Sequence, residues 1–302
     1  MTTVLISGGS GLIGSHLCQK LKEKGYNVAI LTRSGNQNAA IPSFFWNPEK
    51  HEMDNEATAN TDYIIHLAGL GIGEKKWTKD RKQRIIDSRV NTAKLIYDNI
   101  NVNNHKIRAF ITASAIGYYG SVSCDTIFTE TDPPANDFQG GCCRKWEEAA
   151  DLFKASDIRT VKIRTGVVLT KKGGALGKMI IPVKMGIGSA LGNGKQYMPW
   201  IHIDDLCGIY IKAIEDEEMK GAFNGVAPEH ITNEAFTFTL AKLLKKPYFF
   251  PNVPAFILKL IFGDLSEIFL KGSRISSAKI TKSGYHFCYP DLENALKDVC
   301  ER

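Results

Sequence analysis

The sequence predicts an α/β fold in which a doubly wound parallel sheet precedes a smaller, mainly helical C-terminal region. Short apolar runs rich in β-branched residues alternate with helical patterns through the first half of the chain. A glycine-rich turn joins the first run to the first helical pattern. From about residue 170, glycines mark a series of loops and the pattern becomes mainly helical. Repeated β–α units imply parallel strands with right-handed crossovers, and such sheets bind ligands at the carboxyl ends of their strands.

The elements of the first half follow one another regularly. Strands are predicted over residues 4–6, 27–32, 63–67, 109–112 and 161–163. Helical patterns cover residues 16–24 and roughly 78–100, and a third helix contains Trp146. The polar stretch over residues 33–60 favours a short hairpin.

The second half contains fewer strands. Further elements are expected as helices over residues 178–185, 206–215 and 292–299 and a strand over residues 223–226. The most apolar stretch, residues 253–262, is too short to span a bilayer. We interpret it as a core or interface helix.

The turn after the first strand carries two overlapping glycine patterns. Gly9, Gly11 and Gly14 fit G-x-G-x-x-G, and Gly8, Gly11 and Gly14 fit G-x-x-G-x-x-G. Such glycines allow a tight turn and a close approach of backbone N–H groups to a pyrophosphate, at the positive end of the following helix. Because the turn lies between a strand and a helix, it predicts a Rossmann-type dinucleotide site. The expected contacts are Gly8, Ser10, Gly11, Leu12, Ile13 and Gly14.

The residue type at the end of the second predicted strand indicates whether the site prefers NAD or NADP. A fold that prefers NAD places Asp or Glu there to bind the ribose 2′-hydroxyl. This chain has Arg33 after Thr32, and a planar guanidinium suits a 2′-phosphate. We therefore predict NADP as the cofactor, held at its adenosine ribose by Thr32 and Arg33. A solvated arginine beside a loop is the alternative.

Two further places are expected to contact the cofactor. Leu67, Ala68 and Gly69 end the next strand, and the small residues Ala68 and Gly69 let the backbone lie against the adenosine, with an ordinary strand end as the alternative. Arg89, on the helix that follows, is placed to approach the cofactor from the side, with surface charge as the alternative. We assign residues 1–170 to an NADP-binding Rossmann domain that receives late contributions from about residues 200–230. Residues 171–302 form the substrate-side region, with a small C-terminal domain at about 248–302.

Composition narrows the class of protein. The 302 residues carry a net charge of +6, and 43% are hydrophobic and 23% charged, as in ordinary globular proteins. Basic residues read as scattered, which favours a solvated surface and does not argue for nucleic acid. Seven cysteines without a C-x-x-C motif predict neither disulfides nor a metal site, and reduced thiols favour a cytoplasmic location. We expect a small-molecule substrate, no nucleic-acid or membrane partner, and leave a homodimer open.

Several segments together resemble the extended short-chain dehydrogenase/reductases of the NAD-dependent epimerase/dehydratase type. The matching segments are residues 7–14, 66–69, 114–120, 164–169 and 202–205. Within that superfamily the chain is most similar to the YfcH-like "epimerase family protein" subgroup. The distinguishing segments are residues 146–147, 198–202, 224–228 and 284–290, the last within a small C-terminal domain of unknown role. The resemblance covers essentially the whole chain and implies that the backbone of Val168 lines the nicotinamide.

The resemblance also implies three catalytic groups, of which one is retained. In the superfamily the Tyr of Tyr-x-x-x-Lys acts as general acid/base, the Lys lowers the pKa of that Tyr and holds the ribose, and a Ser or Thr orients the substrate oxygen. Ser114 resembles the serine, although a strand-end hydroxyl that caps the backbone is the alternative. Cys142 and Trp146 occupy the Tyr and Lys positions, so that pair is missing. Lys145 is one residue off, about 100° around the helix.

Other residues are candidates to replace the missing acid. Tyr118 and Tyr119 follow Ser114 closely, and we take Tyr118 as the catalytic candidate. His202 is interpreted as ordering the loop before a helix, and His66 as a hydrogen-bonded core histidine.

Three readings of the function follow. The first is an NADP(H)-dependent oxidoreductase or epimerase-like enzyme with an atypical active site. The alternative is an NADPH-binding sensor or scaffold protein with little or no turnover, which the missing Tyr-x-x-x-Lys favours. An ordinary sugar-nucleotide epimerase ranks last, because it needs the missing base.

Overall fold

The computed structural model describes residues 2–36 and 38–301 and confirms the alternation of strands and helices. In chain order the strands are β1 (Thr3–Ser7), β2 (Asn27–Thr32), β3 (Ser43–Asn47), β4 (Glu52–Met53), β5 (Tyr63–His66), β6 (Ala109–Ala115), β7 (Ile127–Phe128), β8 (Arg159–Thr165), β9 (Val167–Leu169), β10 (Trp200–His202), β11 (Gly221–Gly225) and β12 (Arg274–Ile275). The main sheet has the order β11-β8-β6-β5-β1-β2-β3-β4. Short parallel pairs join β9 to β10 and β7 to β12.

The helices follow the predicted periodicity. They are α1 (Leu12–Glu23), α2 (Lys79–Asn103), α3 (Phe138–Ala155), α4 (Gly174–Lys184), α5 (Ile203–Glu215), α6 (Asn233–Leu243), α7 (Ala255–Phe262), α8 (Glu267–Leu270), α9 (Ala278–Lys282) and α10 (Leu292–Glu301). Short 3₁₀ turns lie at Asn55–Thr58, Ile116–Tyr119 and Gly263–Ser266. The side chains of Thr78 and Asp137 accept hydrogen bonds from the first turns of α2 and α3, which fixes where these helices begin.

The main sheet is parallel except at one edge. β1 lies between β2 and β5. β11, which is the last strand of this sheet along the chain, pairs in parallel with β8. β3 pairs in parallel with β2 and antiparallel with β4, which confirms the predicted hairpin. The sheet order and the parallel register are those of a Rossmann-type fold, as predicted. The carboxyl ends of β1, β5 and β6 therefore meet at one edge.

Each face of the sheet is covered by helices. Along β1, Val4 and Ile6 pack on one side with α1 and α5, while Leu5 packs on the other side with α2 and α3. This alternation is what a pleated strand buried on both faces requires. A third apolar cluster joins β9, α4, α6 and α10 and forms a separate core for the C-terminal half.

The sequence placed some boundaries wrongly. α1 begins at Leu12, four residues earlier than predicted, because Gly11 takes an extended conformation and acts as its N-cap. Residues Ala255–Phe262 form the helix α7, in which Leu258 is the one buried residue, so the core alternative is wrong and the interface alternative stays a prediction. No helix within the described ranges is long and apolar enough to cross a membrane. All seven cysteines are free thiols.

Residues 284–290, near the C-terminus, are hydrogen-bonded to the start of α5. The Asp205 carboxylate accepts hydrogen bonds from the backbone N–H groups of Cys288 (2.7 Å) and Tyr289 (2.9 Å). The ring of His202 lies 3.9 Å from that of Tyr289, centroid to centroid, and its Nδ1 accepts the backbone N–H of Asp204. Residues 202–205 and 284–290 thus interlock, and His202 caps α5 in a buried position.

His66 makes the fold sensitive to acid. Its ring is fully buried, with Nδ1 2.6 Å from Ser7 Oγ and Nε2 3.2 Å from Thr92 Oγ1. Burial lowers the pKa of His66 from 6.5 to about 4. Between these values the unfolded chain binds the proton and the folded chain does not, so stability falls as the pH falls. We expect His66 to remove about 2 kcal/mol of unfolding free energy between about pH 7 and pH 5.

Urea unfolding at both pH values checks this expectation. His66→Gln should lose less stability on acidification than the unsubstituted protein does, because glutamine does not titrate. His51→Gln, at an exposed histidine, should leave the pH dependence unchanged. An equal loss in the unsubstituted protein and in His66→Gln would show that His66 does not carry the effect.

Candidate cofactor and active site

The glycine turn forms a tight cradle between β1 and α1. Gly8 has φ +73°, a conformation that favours glycine, and the N–H of Gly11 donates to Gly8 O at 3.0 Å. A Cβ atom on Gly14 would lie 2.2 Å from Gly8 O. Ser10 is exposed at the tip, and Leu12 opens α1 without a side-chain cap. The first N–H groups of α1 are therefore available to an anion, and the cradle fits a pyrophosphate.

The cradle meets the end of the neighbouring strand. A Cβ atom on Gly8 would lie 3.0 Å from the backbone N of Ala68, which follows β5. Leu67 and Ala68 are half-buried and Gly69 is exposed. The structure thus brings residues 67–69 beside the glycine turn, as the parallel register requires.

Arg33 projects from the end of β2. It is exposed, and it makes no hydrogen bond or ion pair with any other residue in the part of the chain that the structure describes. Thr32 is half-buried, and its Oγ1 accepts the N–H of Gly35 at 3.0 Å. A guanidinium that is not paired within residues 2–36 and 38–301 suits the 2′-phosphate that distinguishes NADP from NAD.

Arg89 lies between the strand end and α3. A Cβ atom on Gly69 would lie 3.2 Å from Arg89 Cζ, and Cζ lies 4.8 Å from the centre of the Trp146 ring. Burial lowers the pKa of the Arg89 guanidinium. The indole N–H of Trp146 is buried and has no hydrogen-bond partner within the described ranges. Arg89 therefore places a cation against the residue that occupies the missing lysine position.

The segment that replaces Tyr-x-x-x-Lys is packed into the protein. Cys142 and Trp146 are 3% and 6% exposed, whereas Lys145 is exposed on the outer side of α3, as its offset predicts. Burial raises the pKa of the Cys142 thiol, so it stays protonated near neutral pH. Neither side chain can reproduce the pair it replaces.

Ser114 belongs to a buried polar network. Its Oγ donates to Glu147 Oε1 at 2.7 Å, and Glu147 binds Arg164 through two hydrogen bonds of 2.8 and 2.9 Å. All three side chains are at least 95% buried. The hydroxyl proton points at a carboxylate, not at a backbone carbonyl, and the remaining lone pairs of Ser114 can accept from a ligand.

Two tyrosines flank the same arginine. Arg164 Cζ lies 3.4 Å from the centre of the Tyr118 ring, a cation–π contact. Tyr119 donates to Asn224 Oδ1 at 2.6 Å and accepts from Arg164 Nη1 at 3.0 Å. Burial raises the pKa of Tyr119 to about 12 and also raises that of Tyr118. Tyr119 is committed to the network, so Tyr118, which is half-buried, is the phenol available to a ligand.

A cavity of about 330 Å³ adjoins the cradle. Val167, the neighbour of Val168 in β9, lines it, and so does Ala175 in the first turn of α4. The preceding residue, Gly174, lies beside the cradle, because a Cβ atom there would be 3.2 Å from Leu12 Cδ2. Sequence reasoning missed this cavity. Within residues 2–36 and 38–301, no group of three His, Cys, Asp or Glu side chains is arranged to hold a metal ion.

A glycine cradle at the carboxyl edge of a parallel sheet defines a Rossmann-type nucleotide-binding protein. Residues 4–224 match the sequence model of the NAD dependent epimerase/dehydratase family, and residues 253–299 match a domain of unknown function, DUF1731. The chain belongs to the NAD dependent epimerase/dehydratase family. The resemblance drawn from its motifs is confirmed, including the small C-terminal domain.

Its relatives align along their whole length. The chain is 33% identical over 300 residues to mouse "Epimerase family protein SDR39U1", with 98% of this chain and 99% of the relative covered. It is 34% identical over 299 residues to "Epimerase family protein YfhF" of Bacillus subtilis, with coverage of 98% and 97%. The crystal structure of human SDR39U1 (isoform 2) with NADPH superposes with a TM-score of 0.87 at 30% identity, covering 99% of both chains.

Proposed function

We propose that the chain is an NADP(H)-dependent oxidoreductase or epimerase-like protein that acts on a small molecule. The glycine cradle together with the unpaired guanidinium of Arg33 carries this proposal, because the two fit the pyrophosphate and the 2′-phosphate of NADP. The NADPH present in the human relative's crystal structure supports the choice of cofactor. The pyrophosphate would be held by Gly8, Ser10, Gly11, Leu12, Ile13 and Gly14, and the adenosine ribose by Thr32 and Arg33. The rest of the cofactor would be contacted by Leu67, Ala68 and Gly69 at the adenosine, by Arg89 from the side, and by Val168 at the nicotinamide.

The active site is proposed at the end of β6. NADPH, when bound, supplies a hydride for a carbonyl carbon, and the carbonyl oxygen then needs a proton. Tyr118 holds such a proton, because its raised pKa keeps the phenol neutral. Ser114 would orient the substrate oxygen once that oxygen carries a proton, because the Ser114 hydroxyl donates to Glu147 and can only accept from a ligand. Arg89, stacked on Trp146, offers a cation near the place of the missing lysine.

The cofactor preference is tested at Arg33. Arg33→Asp should weaken NADPH binding by about ten- to a hundredfold, because it removes charge-assisted hydrogen bonds to the 2′-phosphate and adds a repulsive charge. NADH binding should be unchanged or tighter. Fluorescence titration of both nucleotides measures this, with Arg144→Asp on the exposed side of α3 as the matched control. Equal affinities for NADPH and NADH in the unsubstituted protein, or an unchanged preference in Arg33→Asp, would refute the assignment.

A second candidate function is an NADPH-binding sensor or scaffold with little or no turnover. The burial of Cys142 and Trp146 favours it, because the superfamily's proton-transfer pair is replaced by packing residues. A cytoplasmic location and a homodimer stay predictions for either candidate.

A further inference from the structure

The cavity beside the cradle has apolar walls. They include Met179, Val183, Leu240, Leu258, Phe262 and Phe269. Two polar side chains in the wall are already engaged: Asn233 Oδ1 accepts the N–H of Leu191, and Thr237 Oγ1 donates to the carbonyl of Asn233. Most hydroxyl groups of a sugar ring bound against these apolar walls would be buried without partners, at a cost of about 1–3 kcal/mol each. The walls suit an apolar ligand instead.

One polar atom in the wall lacks a partner. The side-chain amide of Gln196 donates from Nε2 to the carbonyls of Leu191 (2.9 Å) and Phe269 (2.8 Å). Because both neighbours are acceptors, the orientation of the amide is fixed, and Oε1 cannot exchange places with Nε2. Oε1 is buried and has no hydrogen-bond partner in the described part of the chain. A ligand hydroxyl or N–H that reaches this oxygen would satisfy it.

Lysines outnumber acidic residues around the cavity. Residues 171–200 and 235–263 supply most of its lining, and together they contain nine exposed lysines and no Asp, Glu or Arg. Three acidic residues flank these ranges: Glu234, Asp264 and Glu267, of which Glu267 lies 3.7 Å from Lys271, Oε1 to Nζ. Nine lysines against three acidic residues give this part of the chain an excess of positive charge, which attracts anions.

We propose that this cavity binds an amphiphilic anion: an apolar chain or ring with a negatively charged end and one hydrogen-bond donor. The apolar body lies among the side chains of α4, α6 and α7, and the donor meets Gln196 Oε1. The charged end lies at the mouth, where Lys178 and Lys271 are both exposed and line the cavity. This inference rests on the proposed function, because it assigns the cavity that adjoins the cradle to the substrate.

Dye displacement on the full chain tests the ligand class. Anilinonaphthalenesulfonate, an apolar anion with an N–H donor, should bind saturably with increased fluorescence. Decanoate should displace it, decylammonium should be at least about tenfold weaker, and UDP-glucose should not compete. Octanol should bind about tenfold more tightly than octyl methyl ether, because the ether has no donor for Gln196.

A substitution at the mouth locates the dye. Ala175→Trp fills the entrance from an exposed position in the first turn of α4 and should weaken dye and decanoate binding about tenfold or more. Ala255→Trp, exposed in the first turn of α7 and outside the lining, is the matched control and should bind as the unsubstituted protein does.

The outcomes separate this inference from the proposed function. Displacement by UDP-glucose as strong as by decanoate, equal binding of decanoate and decylammonium, or full dye binding by Ala175→Trp would overturn it. Equal competition by octanol and octyl methyl ether would overturn the hydrogen bond proposed from a ligand donor to Gln196 Oε1. NADPH is titrated in parallel. If NADPH binds and decanoate does not, the substrate class alone is wrong; if decanoate binds and NADPH does not, the proposed function is wrong.

Discussion

Gly14→Ala is expected to lower NADPH affinity by about a hundredfold or more, an amount equal to at least about 2.7 kcal/mol. The new Cβ atom would lie 2.2 Å from Gly8 O and 2.7 Å from Gly9 Cα. Both neighbours are backbone atoms of the turn, so no side-chain rotation relieves the contact. The turn must move, and the N–H groups that face the pyrophosphate move with it. Overpacking should also cost about 1–3 kcal/mol of stability.

The control for this substitution is Gly177→Ala. Gly177 is also in a helix, α4, but a Cβ atom there would have no neighbour within 4 Å. Alanine should raise the free energy of unfolding by up to about 1 kcal/mol through helix propensity and leave NADPH binding intact. Nucleotide titration and urea unfolding of both variants measure the contrast. If Gly14→Ala binds NADPH as Gly177→Ala does, the cradle does not hold the cofactor.

Glu147→Ala is expected to cost about 3–5 kcal/mol of unfolding free energy. Its carboxylate accepts two hydrogen bonds from Arg164 and one from Ser114, and all three side chains are buried. Removing the carboxylate leaves the buried guanidinium of Arg164 charged and without its ion partner, which raises the pKa of Arg164 against the opposing effect of burial. An unpaired buried cation is among the costliest defects a single substitution can create.

The adjacent residue supplies the control. Glu148 is 64% exposed in its side chain, and its Oε1 lies 3.8 Å from Arg144 Nε. Glu148→Ala should cost less than about 1 kcal/mol, because exposed ion pairs contribute little. The double variant Glu147→Leu, Arg164→Met should recover much of the loss, since it removes both charges. Equal losses from Glu147→Ala and Glu148→Ala in urea unfolding would contradict the role given to the network.

The cradle and the strands could be predicted because their signals are local. β1, the glycines and the start of α1 are contiguous, and the inner strands β1, β2, β5 and β6 each contain a short apolar run. The boundary of α1 was misplaced because Gly11 caps it through its backbone conformation, which the helical periodicity does not record. For α7 the sequence left a core helix and an interface helix open because its apolar residues are evenly spread, and only the packing shows that Leu258 alone is buried.

The polar network and the cavity could not be predicted because they are made by long-range contacts. Ser114, Glu147 and Arg164 come from β6, α3 and β8, and their contact depends on how α3 lies across two strands. The stacking of Arg89 on Trp146 depends on the packing of α2 against α3. The sequence does not indicate that Gln196 Oε1 lacks a hydrogen-bond partner, because the partners of a buried glutamine depend on the fold around it.

NADPH consumption by the full chain is measured with a panel of carbonyl compounds that includes oxo derivatives of medium-chain acids and sugar nucleotides. An NADP(H)-dependent oxidoreductase should consume NADPH above background with at least one carbonyl. Tyr118→Phe should lower that turnover by about a hundredfold, and Ser114→Ala should lower it too, both with the Kd for NADPH unchanged. Tight NADPH binding with no consumption by any member of the panel would exclude this function and identify an NADPH-binding protein without turnover.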